Sequence, residues 1–205
     1  MLLTEKQNDA LTELINIAFA RTAASLSSLS GHRVWLDVPA VDVCPIDELP
    51  ASVSNLIHGE VATVHQIFTG PVSGDALLLL NYEGAVTLAD LLAEKKSPTR
   101  RLDASSREAI TEIGNILLNA CLGTFGNVLQ VHVSFSMPRL HMENLEQLLR
   151  SISIGSEELR YAVVVSTAFR VRESAVSGYM VIVLGVSSLD RLLHAIEDWE
   201  ENQTR

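Results

Sequence analysis

Two short stretches of this chain bring a carboxylate and an amide to the same helical face: Glu13-x-x-Asn16 and Glu112-x-x-Asn115. Each is preceded four residues earlier by another acid, Asp9 in the first and Glu108 in the second. An ionised carboxylate only accepts hydrogen bonds, which suits it to a cationic side chain; an asparagine amide donates and accepts without ionising, so it can hold a water in a fixed direction. At about 100° per residue, Asp9, Glu13 and Asn16 fall at about 0°, 40° and −20° on a helical wheel. Leu11, Leu14, Ile15 and Ala18 fall at about 200°, 140°, 240° and 180° by the same rule. The polar residues therefore form a narrow stripe opposite an apolar face. A solvated surface helix offers the same stripe in a single copy. Here, however, Asp9–Glu13 and Glu108–Glu112 are like-charge pairs at i,i+4, each costing ~0.2–0.5 kcal/mol, and the stripe occurs twice.

The positioning elements repeat with it. LTELINIAFA from Leu11 and ITEIGNILLN from Ile110 stand 99 positions apart, aligning Thr12 with Thr111, Glu13 with Glu112, Asn16 with Asn115, Ile17 with Ile116 and Pro39 with Pro138. Val72-Ser73-Gly74 and Val176-Ser177-Gly178 echo each other 104 positions apart, and LADLL at Leu88 is answered by LDRLL at Leu189. Two copies are too few for a solenoid; they predict one domain made of two repeats, about 1–98 and 99–205, joined by the polar stretch 94–101. In each repeat a long helix comes first. Thr4 with Gln7 is a capping box, and Gly31 is a stop; the second helix begins near Asp103, where Ser105-x-x-Glu108 also has capping-box spacing. Strands are predicted over 33–43, 61–68 and 75–80, with a connector and a helical turn over 45–50, then a helix over 83–93. The second copy predicts strands over 128–135, 161–169 and 179–184 and a helix ending near Trp199. The expected fold is α+β: two pseudo-symmetric helix-strand-strand-strand-helix repeats sharing one mainly antiparallel sheet, with the long motif helices side by side.

Composition narrows the function. Of 205 residues, 47% are apolar and 20% charged, the make-up of a packed fold rather than a disordered chain. Fifteen Lys plus Arg against 25 Asp plus Glu give a net charge of −10, which argues against nucleic acid as a partner. The longest apolar runs, Ala76–Leu80 and Met180–Val186, fall far short of the about 20 residues that cross a bilayer, and the opening MLLTEKQNDA does not read as a secretory signal. No membrane role is expected, and two cysteines in such a chain suit the reducing cytoplasm. Cys121 falls on the apolar side of its helix and reads as core, as do Trp35 and Trp199 as packing residues. His32, His58, His65, His132, His141 and His194 show no HxH or HExxH spacing, so no metal site is expected, and no GxSxG, P-loop or GxGxxG occurs.

The pattern Asp9-x3-Glu13-x2-Asn16-x22-Pro39, repeated as Glu112-x2-Asn115-x22-Pro138, resembles the signature of the CheC family of chemotaxis phosphatases. The resemblance extends over nearly the whole chain, and EIGNIL around Asn115 is close to the family pattern. The doubled motif is similar to CheC-type members rather than to the one-motif CheX type. It implies hydrolysis of the phosphoaspartate of a CheY-like receiver domain, with Asn16 and Asn115 orienting the attacking water. Glu13 and Glu112 would engage the receiver's lysine, and Asp9 and Glu108 would stand at the rim. No cofactor is implied for this chain; Mg²⁺ would be held by the receiver, and a CheD-like deamidase is a further partner of the family. Pro39 and Pro138 read as fixing a turn or strand edge. The chain departs from the pattern at Glu108, where Asp or Ser is usual, and at Ile15, Ala18 and Ala20, where the first motif usually carries glycines. Those losses imply a first helix seated differently, with Ile15 tilting it or obstructing a partner's approach. They also keep a second reading open, a catalytically silent receiver-binding adaptor of the same fold.

Overall fold

The computed structural model describes residues 3–31, 33–53, 57, 59–92, 101–130, 132–153, 160–171 and 174–203. The predicted join falls on residues 94–101, of which 94–100 lie outside the described residues, as do His32 and His58.

Helix α1 spans Glu5–Ser30 and α4 spans Ala104–Leu129. Their ends are set by matching residues. Thr4 caps α1, its hydroxyl accepting from the Gln7 amide at 3.2 Å while the Gln7 side chain accepts from the Thr4 amide at 2.9 Å. Asp103, 99 positions on, caps α4 by accepting from the Ser106 amide at 2.7 Å. Ser105 is thus not the cap, and Glu108 lies in the second turn, too far along to close a capping box. At the other ends Gly31 (φ 68°) and Gln130 (φ 53°), again 99 apart, both turn left-handed.

Between them run β1 (Val34–Leu36), β2 (Ala40–Pro45), a 3-10 turn (Ile46–Glu48), α2 (Leu49–Ser52), β3 (Val61–Thr69), β4 (Gly74–Asn81) and α3 (Tyr82–Leu92). After α4 come β5 (Ser134–Phe135), β6 (Arg139–Glu143), α5 (Leu145–Ser153), β7 (Arg160–Val171), β8 (Ser174–Gly185) and α6 (Val186–Gln203). Among the described residues each repeat thus holds four strands rather than three. A proline has no N–H for the ladder; Pro39 divides the first predicted strand of the first copy, and Pro138, just beyond the predicted 128–135, separates β5 from β6. Residues 37–39 oppose only 167–168, and 136–138 oppose only 66–67, a one-residue bulge in each case. The strand expected over 128–135 is displaced: Val128 still belongs to α4, and the main ladder is β6.

The eight strands form one antiparallel sheet in the order β1-β7-β8-β4-β3-β5, with β2 also on β7 and β6 also on β3. The first strands of each repeat therefore pair with the other repeat. The order is a palindrome about β4 and β8, where Leu77 faces Val181, its counterpart 104 positions away. The two outer ladders differ in register. Ala40 pairs with Ser166, whereas its counterpart Arg139 pairs with His65, the counterpart of Val164. That two-residue slip equals one pleat period, so every side chain keeps its face.

Helices α1, α3, α4 and α6 cover one face, burying Leu14, Ile15, Phe19, Ile110, Leu117 and Leu118 against Val64, Leu78, Val163 and Met180. The short α2 and α5 cover the other with Leu49, Val53, Leu145 and Leu148 over Leu77, Leu79 and Val181. Burial on both faces explains why β4 and β8 read as unbroken apolar runs instead of alternating ones. Among the described residues no helix is long and apolar enough to cross a membrane.

Candidate active site on the paired long helices

The two motif helices pack against each other in the layer above the sheet. Leu14, Ile17 and Arg21 share an open hollow with Thr124, Asn127, Val128 and Gln130 and with Ala195, Asp198 and Trp199 of α6. The first half of α1 therefore lies beside the last turns of α4, and the helices run antiparallel. Asp9, Glu13 and Asn16 are exposed, as are Glu108 and Glu112, while Asn115 is half-buried. With the apolar sides of both helices turned to the sheet, both stripes face away from it. Antiparallel packing sends them towards opposite ends of the pair, so the two motifs make two sites rather than one composite centre.

The second site is the more constrained. The Asn115 amide donates towards Oε2 of Glu112 at 3.5 Å, and its Oδ1 accepts from Nδ2 of Asn119 at 2.8 Å. Oδ1 is thereby turned towards the C-terminal end of the helix and the NH₂ group is presented beside Glu112. Asn119 has no place in the motif and was not singled out from the sequence; its signal is its i+4 position from Asn115, one turn along the same face. The counterpart of Asn119 on α1 is Ala20.

Gly114, next to Asn115, brings α4 down onto the sheet. A methyl group built there would stand 2.6 Å from Cβ and Cγ1 of Val64 and 2.8 Å from Cγ2, closer than any real contact. Helix α4 makes its sheet contacts with β3, β4 and β6, whereas α1, with a fully buried Ile15 at the matching position, makes its main ones with β1 and β2. The first helix is indeed seated differently. Because Ile15 points into the core, the expectation that it would obstruct an approaching partner is overturned.

Pro39 and Pro138 each close a bulge, braced in equivalent ways. The Asp37 amide donates to the Ala168 carbonyl at 3.0 Å and the Ser136 amide to the Ile67 carbonyl at 2.8 Å. Arg170 grips Asp37 through both carboxylate oxygens, at 2.5 and 2.7 Å, and holds its pKa below the ordinary aspartate value. Val38 and Met137, just before the prolines, are exposed.

The remaining reactive groups lie elsewhere. His65 bonds Asp75 at 2.9 Å, and Asp75 also accepts from Arg160 at 3.2 Å, on the sheet face away from the motif helices. Burial pushes the Cys121 thiol far above its ordinary pKa, which leaves it protonated and unreactive. Among the described residues no group of three or more His, Cys, Asp or Glu side chains is arranged to hold a metal ion.

The chain is 25% identical over 159 residues to the flagellar motor switch phosphatase FliY of Bacillus subtilis, covering 77% of this chain and 41% of that protein. It is 23% identical to the CheY-P phosphatase CheC of the same organism over 95% of both. Among solved structures, FliY of Thermotoga maritima superposes with a TM-score of 0.78 at 20% identity, over 97% of this chain and all of that one. FliM from a FliM–SpeE complex of H. pylori gives 0.69 at 14% identity, over 97% and 98%. No family model matches the chain. The chain is thus similar in sequence to phosphatases of the CheC and FliY kind, and it shares the fold of FliY and of the FliM middle domain.

Proposed function

We propose that this chain hydrolyses the phosphoaspartate of a CheY-like receiver domain in the cytoplasm. Water attacks phosphorus, the bond to the aspartate oxygen breaks, the carboxylate leaves with the bonding pair, and inorganic phosphate takes the oxygen and protons of the water. The transition state of such a transfer is largely dissociative and its carboxylate leaving group is good, so placing the water matters more than a strong base. In this reading Asn115 and Asn16 hold that water, and Glu112 and Glu13 engage the receiver's lysine. Asp9 and Glu108 meet the partner at the rim, and the receiver contributes Mg²⁺.

The observation that carries this reading is the Asn115 amide, held by Asn119 with its NH₂ beside the exposed Glu112. The same Glu–Asn pair stands exposed on α1. The test follows the decay of a phosphorylated receiver with the wild-type chain and with Asn16→Ala, Asn115→Ala and the double variant. Asn115→Ala is expected to be the more damaging single change, because misplacing a water-orienting group by about 1 Å costs on the order of a hundredfold in rate and Asn16 has no brace. Binding should persist in Asn115→Ala and weaken in Glu112→Ala. Greater damage from Asn16→Ala would overturn the ranking of the sites. A second reading is favoured by Ile15 and Ala20 in the first motif: a silent adaptor that docks a receiver, which wild type with no effect on receiver decay would support.

A further inference from the structure

We propose that Asn119 is a positioning residue that fixes the amide orientation of Asn115, and that its replacement by Ala20 on α1 makes the two sites unequal. This rests on the phosphatase reading above. Asn119 sits one turn after Asn115 and donates to it at 2.8 Å. Its own Oδ1 is out of solvent and finds no hydrogen-bond partner among the described residues. A buried oxygen without a partner costs stability, so an apolar residue of this size would serve packing better. What Asn119 supplies is a donor that an apolar residue lacks.

The donor removes freedom from Asn115. A surface helical asparagine has about two allowed χ1 rotamers and two amide orientations, so about four arrangements of which one presents NH₂ beside Glu112 with Oδ1 towards Asn119. Holding one of the four raises the productive fraction about fourfold. Asn16, followed one turn later by Ala20, has no such donor at that position. Ala20 is exposed, so an asparagine can be introduced there without disturbing the core.

The experiment uses the full chain and a CheY-type receiver domain phosphorylated with phosphoramidate in Mg²⁺, reading phosphate release over a range of receiver concentrations. Asn119→Leu, which keeps the branched outline of asparagine, is expected to lower kcat about fourfold with KM unchanged, while its urea midpoint stays equal or rises. In the Asn115→Ala background, where turnover depends on Asn16, Ala20→Asn is expected to raise kcat by about the same factor. That gain is one a merely structural role for Asn119 would not produce. Wild-type kcat in Asn119→Leu, a kcat loss matched by lost stability, or no gain from Ala20→Asn overturns the proposal while leaving the phosphatase reading in place. A wild-type chain that releases no phosphate overturns the phosphatase reading, and the proposal with it.

Discussion

Gly114→Ala separates two physical effects of opposite sign. By helix propensity alone alanine in a helix interior is better than glycine by about 1 kcal/mol. The geometry opposes this. The new methyl would meet three carbons of Val64 at 2.6–2.8 Å, against about 3.5–4.0 Å for an unstrained carbon contact. Val64 is fully buried in β3, which has a strand on each side, so it has little room to yield. The shortfall of about 1 Å must be taken up by lifting α4. Overpacking of this kind costs about 1–3 kcal/mol, more than the propensity gain. The lift also carries Asn115 with it, and about 1 Å at a water-orienting group is worth on the order of a hundredfold in rate. The assay pairs receiver dephosphorylation with urea denaturation for Gly114→Ala, Val64→Ala and the double variant. Val64→Ala clears two of the three close contacts, so the double variant should recover part of the activity lost by Gly114→Ala. A Gly114→Ala protein as active and as stable as wild type would refute the close-packing account. Loss without any recovery in the double variant would place the cause outside the Val64 contact.

Gly123, also inside α4, has open space where a Cβ would stand, and its counterpart on α1 is Ala24; Gly123→Ala should stabilise the fold by about 1 kcal/mol in urea denaturation with unchanged turnover. Gln130 holds the left-handed helix end that Gly31 holds on α1, so Gln130→Gly should raise stability by about 1 kcal/mol in the same measurement. His194 donates to the Asp190 carbonyl at 2.7 Å, and that bond, helped by nearby Glu197, raises its pKa above 6.5. Because the folded chain binds this proton more tightly, its contribution is full below the unfolded value and fades as pH rises through the folded pKa. NMR titration of His194 should show the raised value, and His194→Gln should flatten stability across that window; a histidine titrating at or below 6.5 would contradict it.

Helix α1 was readable to its ends because every signal lies within a few residues: Thr4 and Gln7 close the box, Gly31 supplies the left-handed turn, and the 3.6-residue period separates Leu11, Leu14 and Ile15 from Glu13 and Asn16. The 99-residue offset carried the start of that reading to α4, whose last residues, from Val128, were expected in a strand. Strand β6 was missed because Arg139–Glu143 is short and holds only two apolar residues, Leu140 and Met142, so its alternation is too brief to stand out; it becomes a strand by pairing with β3, more than 70 positions upstream. Helix α5 was legible and went unread: Leu145, Leu148 and Leu149 recur at helical spacing, and only their place over the sheet's second face needed the folded chain. The exchange of first strands between repeats, the seat of α4 on Val64 and the brace from Asn119 were likewise decided by the folded chain. The order of residues along the chain determines which side of a helix is polar, because a side chain's direction follows from the local backbone. Which strand it meets, how close a helix lies to the sheet and which way an amide points depend on groups brought together across the chain, and these only the tertiary structure decides.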